Sequence, residues 1–195
     1  MTVSAPPRVD DLDDAQRARR DRIVDAAVEL MLQHPYEDVQ MKDVTAAAGV
    51  ALGTTYRYFS SKEHLVAEAL LAWARRYRSA GPLEQRGRSV DQLKAAYRRA
   101  ARAFERHPNV YGHLLAVQAT SDPAAVETFE RFARVQNEAF ASFLPRIPSP
   151  RREQILSVMG AVLDANLRDW TLGRHPIARV YRQLDVAADL LLGRA

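Results

Sequence analysis

Apolar residues along this chain recur at the spacing of helices, and no stretch alternates as a half-buried strand would. Ile23, Ala27, Leu30 and Met31 fall at i, i+4, i+7 and i+8, one face of a helix predicted over 15–33 and closed by His34-Pro35. Val44 and Ala48, four apart, sit on a second helix over 41–48. Gly49 is expected to end it through a positive φ, with Val50 tucked into the angle that follows. A third short helix covers 51–58. Tyr36 and Val39, in the connection before it, are expected to plug the core of these three helices. Ser60 with Glu63 matches a capping box, so a fourth helix starts near Ser61. Its apolar side is Leu65, Val66, Ala69, Leu70, Trp73 and Tyr77.

Gly81, Pro82 and Gly87 mark Ser79 to Ser89 as a loop. Ser89 and Gln92 then cap a helix carrying Leu93, Tyr97, Ala100 and Phe104 in one stripe. His107-Pro108 breaks it, and a shorter helix runs to about Ala119. Asp122-Pro123 pairs an N-cap with a proline at the first helical position, opening a helix to about Leu144 with Val126, Phe129, Ala133, Gln136, Phe140 and Phe143 inward. Ser149-Pro150 repeats that signal for an eighth helix, whose apolar positions 155, 158, 159, 162, 163, 166, 167 and 170 form a regular stripe. Pro176 opens the last, with Ile177, Val180, Tyr181, Leu184, Ala188 and Leu191 on one side. The fold class predicted is all-α, nine helices in two domains: a disordered tail over 1–14, a three-helix unit over 15–61, and a larger helical domain over 62–195.

Composition narrows the function. A chain of 195 residues with 47% hydrophobic and 27% charged residues can bury a proper core. No apolar run approaches the roughly 18 residues of a membrane span, and the acidic N-terminus does not read as a signal peptide, so no membrane partner and a cytoplasmic location are expected. Cys 0 removes disulfides, thiolate metal sites and thiol nucleophiles. The histidines at 34, 64, 107, 113 and 175 lack metal-ligand spacing. No Gly-x-Ser-x-Gly, P-loop or dinucleotide fingerprint is present. Neither an enzyme nor a cofactor nor a metal is therefore expected, and no catalytic residue is assigned. His64 is expected to be exposed or to cap the fourth helix.

Charge acts by placement. The overall pI is about 9.6, yet residues 1–62 carry 8 basic against 10 acidic side chains, net −2, and residues 63–195 carry 20 against 14, net +6. Bulk charge does not point the N-terminal unit at nucleic acid; the positions of Arg17, Arg19, Arg20, Arg22, Lys42, Arg57 and Lys62 do. Residues 40–64 read as helix, turn at Gly49, helix, and the start of a third. The second of these helices carries Gly53, Thr54 and Thr55 before Tyr56-Arg57-Tyr58-Phe59. A solvent-facing helix made for stability alone would carry Glu, Lys and Gln. This is the pattern of a helix-turn-helix, whose second helix enters the DNA major groove. The competing reading is that these are turn and cap residues of a small bundle.

From Gly49 to Leu65 the string Gly-Val-Ala-x-Gly-Thr-x-Tyr-Arg-Tyr-Phe-x-Ser-Lys-Glu-x-Leu resembles the DNA-binding signature of the TetR family of bacterial transcriptional regulators. The match is tight over about 20–72 and elsewhere lies in the number and length of helices. Thr45 stands where the family usually has Ala and Thr55 where it usually has Leu. Both can pack with a methyl inward, so the departure bears on operator sequence rather than fold. The resemblance implies a homodimeric, ligand-responsive repressor, released from a palindromic double-stranded operator by a small-molecule effector. The DNA-binding domain would be 15–61, and 62–195 would bind ligand and dimerise. Tyr58 and Lys62 would hold the DNA backbone, and Gln40, Lys42 and Thr45 would reach it from the second helix. Gly53 and Thr54 would approach base edges, Thr55 would belong to the same DNA-binding set, and Tyr56 would divide between packing and phosphate. The arginines at 17–22 would be a minor-groove arm or a solvated face.

The same resemblance implies a dimer interface on the last two helices, with Val158, Val162, Leu167, Val180, Tyr181, Leu184, Ala188 and Leu191; the alternative is that these stripes face their own core. A ligand pocket would draw on Trp73, Tyr97, Phe104, Leu114, Phe129, Phe132, Phe140 and Trp170, with Gln118, Gln136 and Asn166 as polar groups to orient an effector. An aromatic stripe serves equally as core, and Asn166 would pair across the two-fold or face the ligand. A narrower similarity, to actinobacterial repressors of steroid catabolism, rests on Val39 to Val44, Leu52 to Leu65, Leu163 to Leu167 with Trp170, and Leu184 to Gly193. It implies a CoA thioester of a sterol fragment as inducer, whose phosphates would suit the +6 balance of residues 63–195. The alternatives are a sensor of hydrophobic drugs governing an efflux gene, and an activator of the same family.

Overall fold

The computed structural model describes residues 6–7, 9–79 and 89–193. Among them nine α-helices and no strand follow a short 3₁₀ turn, Val9–Asp11. The helices are α1 (Asp14–Gln33), α2 (Met41–Ala48), α3 (Leu52–Tyr58), α4 (Lys62–Ser79), α5 (Ser89–Arg106), α6 (Asn109–Gln118), α7 (Pro123–Ala141), α8 (Ser149–Thr171) and α9 (Ile177–Leu192). The all-α expectation and the number of helices hold for these residues. The expected loop over 79–89 lies almost wholly outside them, as do residues 1–5 and 8 of the expected tail. The rest of that tail is not free: Leu12 is buried, and Asp13 caps α1. Its carboxylate accepts the Gln16 N–H at 2.8 Å while Gln16 accepts the Asp13 N–H at 3.2 Å, a capping box that contributes about 1 kcal/mol.

Packing groups the chain into two units. The first takes α1 to α4 together with Gly112–Phe132, so α4 clusters with the N-terminal helices and with one later stretch of the chain. The reason is visible in its side chains. Leu65, Val66, Ala67, Ala69, Leu70, Leu71 and Ala74 are buried on most sides of α4, and Glu68 among them is joined to Arg20 of α1 and Arg131 of α7. α1 packs on α2 and α3, and α2 on α3. Ile23, Val28, Met31, Val44 and Phe59 fill the centre at no more than 1% exposure. Val39 of the α1–α2 connection is buried as expected. Tyr36 is half-buried, edge-on to His113 of α6 at 5.6 Å between ring centroids.

One cap differs from expectation. Ser61, not Ser60, caps α4, its hydroxyl accepting the His64 N–H at 3.0 Å. Ser60 instead donates to Asp122 at 2.7 Å. Asp122 caps α7 as expected, accepting from Ala124 and Ala125 at 2.9 and 3.4 Å. α7 stops at Ala141, short of Leu144, although Phe143 and Leu144 beyond it stay buried. Val126, expected inward, is 39% exposed.

The second unit takes α5, the first residues of α6, and the chain from Ala133 onward. α5 and α8 both pack on α9. Leu93, Ala96, Tyr97, Ala100 and Ala101 are the inward face of α5, and Tyr97 stacks on Phe140 of α7 at 4.1 Å. Tyr111 donates to the carbonyl and carboxylate of Asp164 at 2.8 and 2.9 Å. Ion pairs from Lys94 to Asp189, at 2.6 Å, and from Arg98 to Asp185 tie α5 to α9. They are solvent-washed and contribute at most about 1 kcal/mol each.

The stripes of α8 and α9 are used differently from the expectation. Leu167, Val180, Leu184 and Ala188 are at most 1% exposed: they are this chain's own core and leave no surface for a partner. Val162, Tyr181 and Leu191 are half-buried, Tyr181 donating to Glu105. Of the eight, Val158 alone is fully outward at 44%. The exposed large apolar residues here are Val158 of α8, Leu172 just past its end, and Val186 and Leu190 of α9. A stripe two residues wide has an inner and an outer edge, and periodicity does not say which edge is covered.

Candidate nucleic-acid interface

α2 ends where Gly49 takes φ 64, a left-handed conformation that costs a side chain dearly and glycine nothing. Its N–H returns to the carbonyls of Ala46 and Thr45, and the Val50 N–H goes to Thr45 at 3.0 Å. The chain then turns into α3. Thr55 and Tyr58, three apart, are the buried edge of this helix, at 0% and 4% exposure. Leu52, Gly53, Tyr56 and Arg57 make up the opposite face and are all exposed.

This sorts the expected DNA contacts. Gln40, Lys42, Gly53 and Tyr56 lie on the surface and Thr54 is half-buried. Thr45, Thr55 and Tyr58 are buried. Thr45 is buried, and its hydroxyl donates to the Lys42 carbonyl at 2.8 Å. Thr55 is enclosed with its Oγ1 lacking a hydrogen-bond partner, a cost of about 1–3 kcal/mol that an apolar residue would avoid. Tyr58 packs its ring beside Phe59. Lys62 is also spoken for: its ammonium donates to the Tyr36 carbonyl at 2.6 Å and sits 3.8 Å from the centre of that ring. Burial there lowers its pKa. Arg20, one of the four arginines of the expected arm, is buried in an ion pair with Glu68, while Arg17 donates to the Leu12 carbonyl. Leu52, 44% exposed beside Gly53, escaped the sequence reading. No periodic signal marked it, since 52 and 55 are three apart and lie near one another on a helical projection.

Behind α3 lies a buried polar shell. His64, expected to be exposed or to cap α4, is 7% exposed, with its ring edge-on to Phe59. Its Nδ1 accepts the Ser60 N–H at 3.2 Å. The Ser60 hydroxyl spends its proton on Asp122, so the imidazole is neutral and carries its proton on Nε2. Burial holds the His64 pKa below its ordinary 6.5; Glu68 and Asp122 push the other way, and Arg20 and Arg131 add to the lowering. Burial alone would raise Glu68, but the guanidinium groups of Arg20 and Arg131 bring it below its usual 4.5.

These shifts predict acid unfolding in two stages. Near pH 6.5 the unfolded chain takes up a proton at residue 64 that the folded chain refuses, so stability falls from there downward until the folded value is reached. Glu68 keeps its contribution above pH 4.5 and loses it as pH falls through its lower folded value. Urea unfolding at pH 7.5, 6, 5 and 4 should show both. His64→Asn, whose side-chain oxygen can still accept the Ser60 N–H, should flatten the first stage, and an unchanged profile would contradict a buried neutral imidazole.

The residues expected to line a pocket are divided between the units. Tyr97, Phe104, Gln136, Phe140, Asn166 and Trp170 belong to the second, and Trp73, Leu114, Gln118, Phe129 and Phe132 to the first. Within the second, Tyr97 lies against Phe140, and Phe104 is edge-on to Tyr111 at 6.0 Å. Gln136 has its side-chain oxygen buried without a partner. Within the first, Phe129 stacks on Phe132, and Trp73 stacks on Tyr77. Gln118 is exposed on α6, which removes it from an enclosed site. Asn166 donates to the Val162 carbonyl of its own helix at 2.8 Å, so its presence in the stripe needs neither a ligand nor a partner chain. Among the described residues no helix is long and apolar enough to cross a membrane.

Two family descriptions match the chain: "Bacterial regulatory proteins, tetR family" over residues 23–69, and "Tetracyclin repressor-like, C-terminal domain" over residues 87–191. The HTH-type transcriptional repressor KstR of Rhodococcus jostii is 31% identical over 186 residues, covering 94% of this chain and 88% of the repressor. The crystal structure of a TetR transcriptional regulator from Rhodococcus sp. RHA1 is similar with a TM-score of 0.79 and 27% identity, over 92% of this chain and 98% of that one. The Bacillus subtilis regulator FadR, solved in complex with stearoyl-CoA, shares the fold with a TM-score of 0.62 at 15% identity, over 86% and 97% of the two chains.

Proposed function

This chain belongs to the TetR family of bacterial regulatory proteins, and from that premise we propose that it is a cytoplasmic, ligand-responsive transcriptional repressor that binds a palindromic operator as a homodimer. The outward face of α3 carries the reading. Four positions of that face, Leu52, Gly53, Tyr56 and Arg57, are exposed, and Gly53 among them weakens the helix that carries it. A helix so exposed, after a glycine turn, fits the major groove. Gln40, Lys42, Thr54 and Tyr56 complete the contact surface, and Arg57 and Lys42 are its free cations toward phosphate. Arg57→Ala should weaken binding to every sequence alike and lower the slope of log affinity against log salt by about 1. A loss confined to one sequence would mean that Arg57 reads a base.

The second protomer would lie on the outward edge of α8 and α9, where Val158, Val186 and Leu190, with Leu172 just past α8, leave apolar surface in water. Two half-sites multiply the weak discrimination of one short helix. For the effector, the similarity to repressors of steroid catabolism and the full-length likeness to KstR favour a CoA thioester of a sterol fragment. The fold accommodates such a cofactor ester elsewhere, in FadR with stearoyl-CoA. Repression ends when the effector prefers the state that does not fit DNA. Thermal unfolding against sterol-derived and fatty acyl-CoA thioesters and hydrophobic cations tests the class, since a tight ligand at 100 times its Kd stabilises by about 2.7 kcal/mol. A shift with the sterol thioester that also releases DNA supports this reading; a shift with the cations alone makes the protein a drug sensor.

A further inference from the structure

Gly53 sits at the centre of the outward face of α3, and nothing in the fold asks for glycine there. Its φ is not among the positive ones, which are those of Gly49, Gly173 and Gly193. A Cβ built on it meets no atom within 4 Å. Alanine is the better helix former, so this chain keeps a less stable helix than it needs. The demand for an absent side chain comes from outside the molecule. Beside it Leu52 exposes 44% of its surface and Tyr56 47%, while the buried edge of the same helix is occupied by Thr55 and Tyr58.

We propose that Leu52 is a specificity residue that recognises the 5-methyl group of a thymine in each operator half-site, with Gly53 leaving room for that base to approach the helix backbone. The inference rests on the DNA-binding reading above and deepens it. In the major groove every base edge except that of thymine offers only donors and acceptors, and thymine alone adds a methyl group. An isobutyl group pressed on the other edges would strip water from polar atoms and return nothing. Against a methyl it buries apolar surface on both sides. A residue of this chemistry therefore selects thymine over cytosine, which presents an amino group and no methyl. Arg57 at the edge of the same face holds the strand, so Leu52 adds sequence where its neighbour adds affinity.

The test begins with the full-length protein selecting sites from a random duplex library. Affinities are then measured for the selected site and for the same site with each thymine replaced in turn by deoxyuridine, which removes only the methyl. One thymine per half-site is expected to lose about tenfold on this change. Leu52→Ala should already have lost that preference and should bind the thymine and deoxyuridine sites equally. Gly53→Ala should raise Tm by roughly 2–4 °C while weakening operator binding, opposite signs that a structural role would not produce. The inference is overturned if the wild type selects a site but no deoxyuridine change costs it more than it costs Leu52→Ala. Selection of no sequence at all would bring down the DNA-binding reading and this inference together.

Discussion

Glu68→Ala is expected to lower the stability of the fold by about 3–5 kcal/mol, because it strands a buried guanidinium. The Glu68 carboxylate is 9% exposed and meets Arg20, equally enclosed, at 2.8 Å. It also receives Arg131 and, more weakly, the Thr128 hydroxyl at 3.4 Å. The two arginines are not equivalent. Arg131 is 39% exposed at its side chain and can turn to water; Arg20 cannot, and it lies 5.2 Å above the ring of Phe59, which replaces only part of a lost carboxylate. At about 2–4 °C per kcal/mol for a chain of this size, Tm should fall by roughly 6–20 °C. The double change Arg20→Met with Glu68→Met should cost much less, since it leaves no charge behind. Urea unfolding of the two variants decides the matter. A loss below about 1 kcal/mol for Glu68→Ala would show that water reaches Arg20.

The second large effect is expected at the outer edge of α9. Leu190 is 78% exposed and Val186 50%, on the same helix whose Leu184 and Ala188 are sealed inside at 0%. In a two-fold interface one substitution is made twice. Burying a leucine is worth about 1.5–3 kcal/mol, so Leu190→Asp should cost about 3–6 kcal/mol of association, roughly a hundred- to ten-thousand-fold in the dimer dissociation constant. Thermal stability of the monomer should barely change, because Leu190 supports no core. Sedimentation should show monomers at concentrations where the wild type is dimeric, and operator affinity should fall with the loss of the second half-site. An unchanged sedimentation profile would place the interface elsewhere. Leu184→Ala is the useful contrast: it should destabilise the fold by about 2–5 kcal/mol without that selective loss of association.

Local chemistry made the elements legible before any coordinates. Gly49, Asp122 with Pro123, and the breaks at His34-Pro35 and His107-Pro108 act on residues within one turn of themselves. The helices they bound are accordingly found within a few residues of expectation, the largest miss being α7, which stops at Ala141. The helix-turn-helix motif was legible for the same reason, since its turn and both short helices lie within 25 residues of continuous sequence. Partner choice was not legible. Ser60 carries a hydroxyl suited to capping α4, but Asp122, 62 residues on, takes it. Lys62 looks like a phosphate ligand until Tyr36 of the α1–α2 connection is folded over it.

What the sequence determined by itself is therefore the set of helices, their order, the glycine turn and the membership of a DNA-binding family, because each depends on contacts close along the chain. Tertiary structure decided which edge of every stripe faces inward. It moved Leu167, Val180, Leu184 and Ala188 into the core, buried Thr45, Thr55 and Tyr58, and enclosed Arg20, His64 and Glu68. Periodicity fixes the angle between two side chains on a helix, but the direction that is covered depends on which distant helix packs there, and no local pattern encodes that.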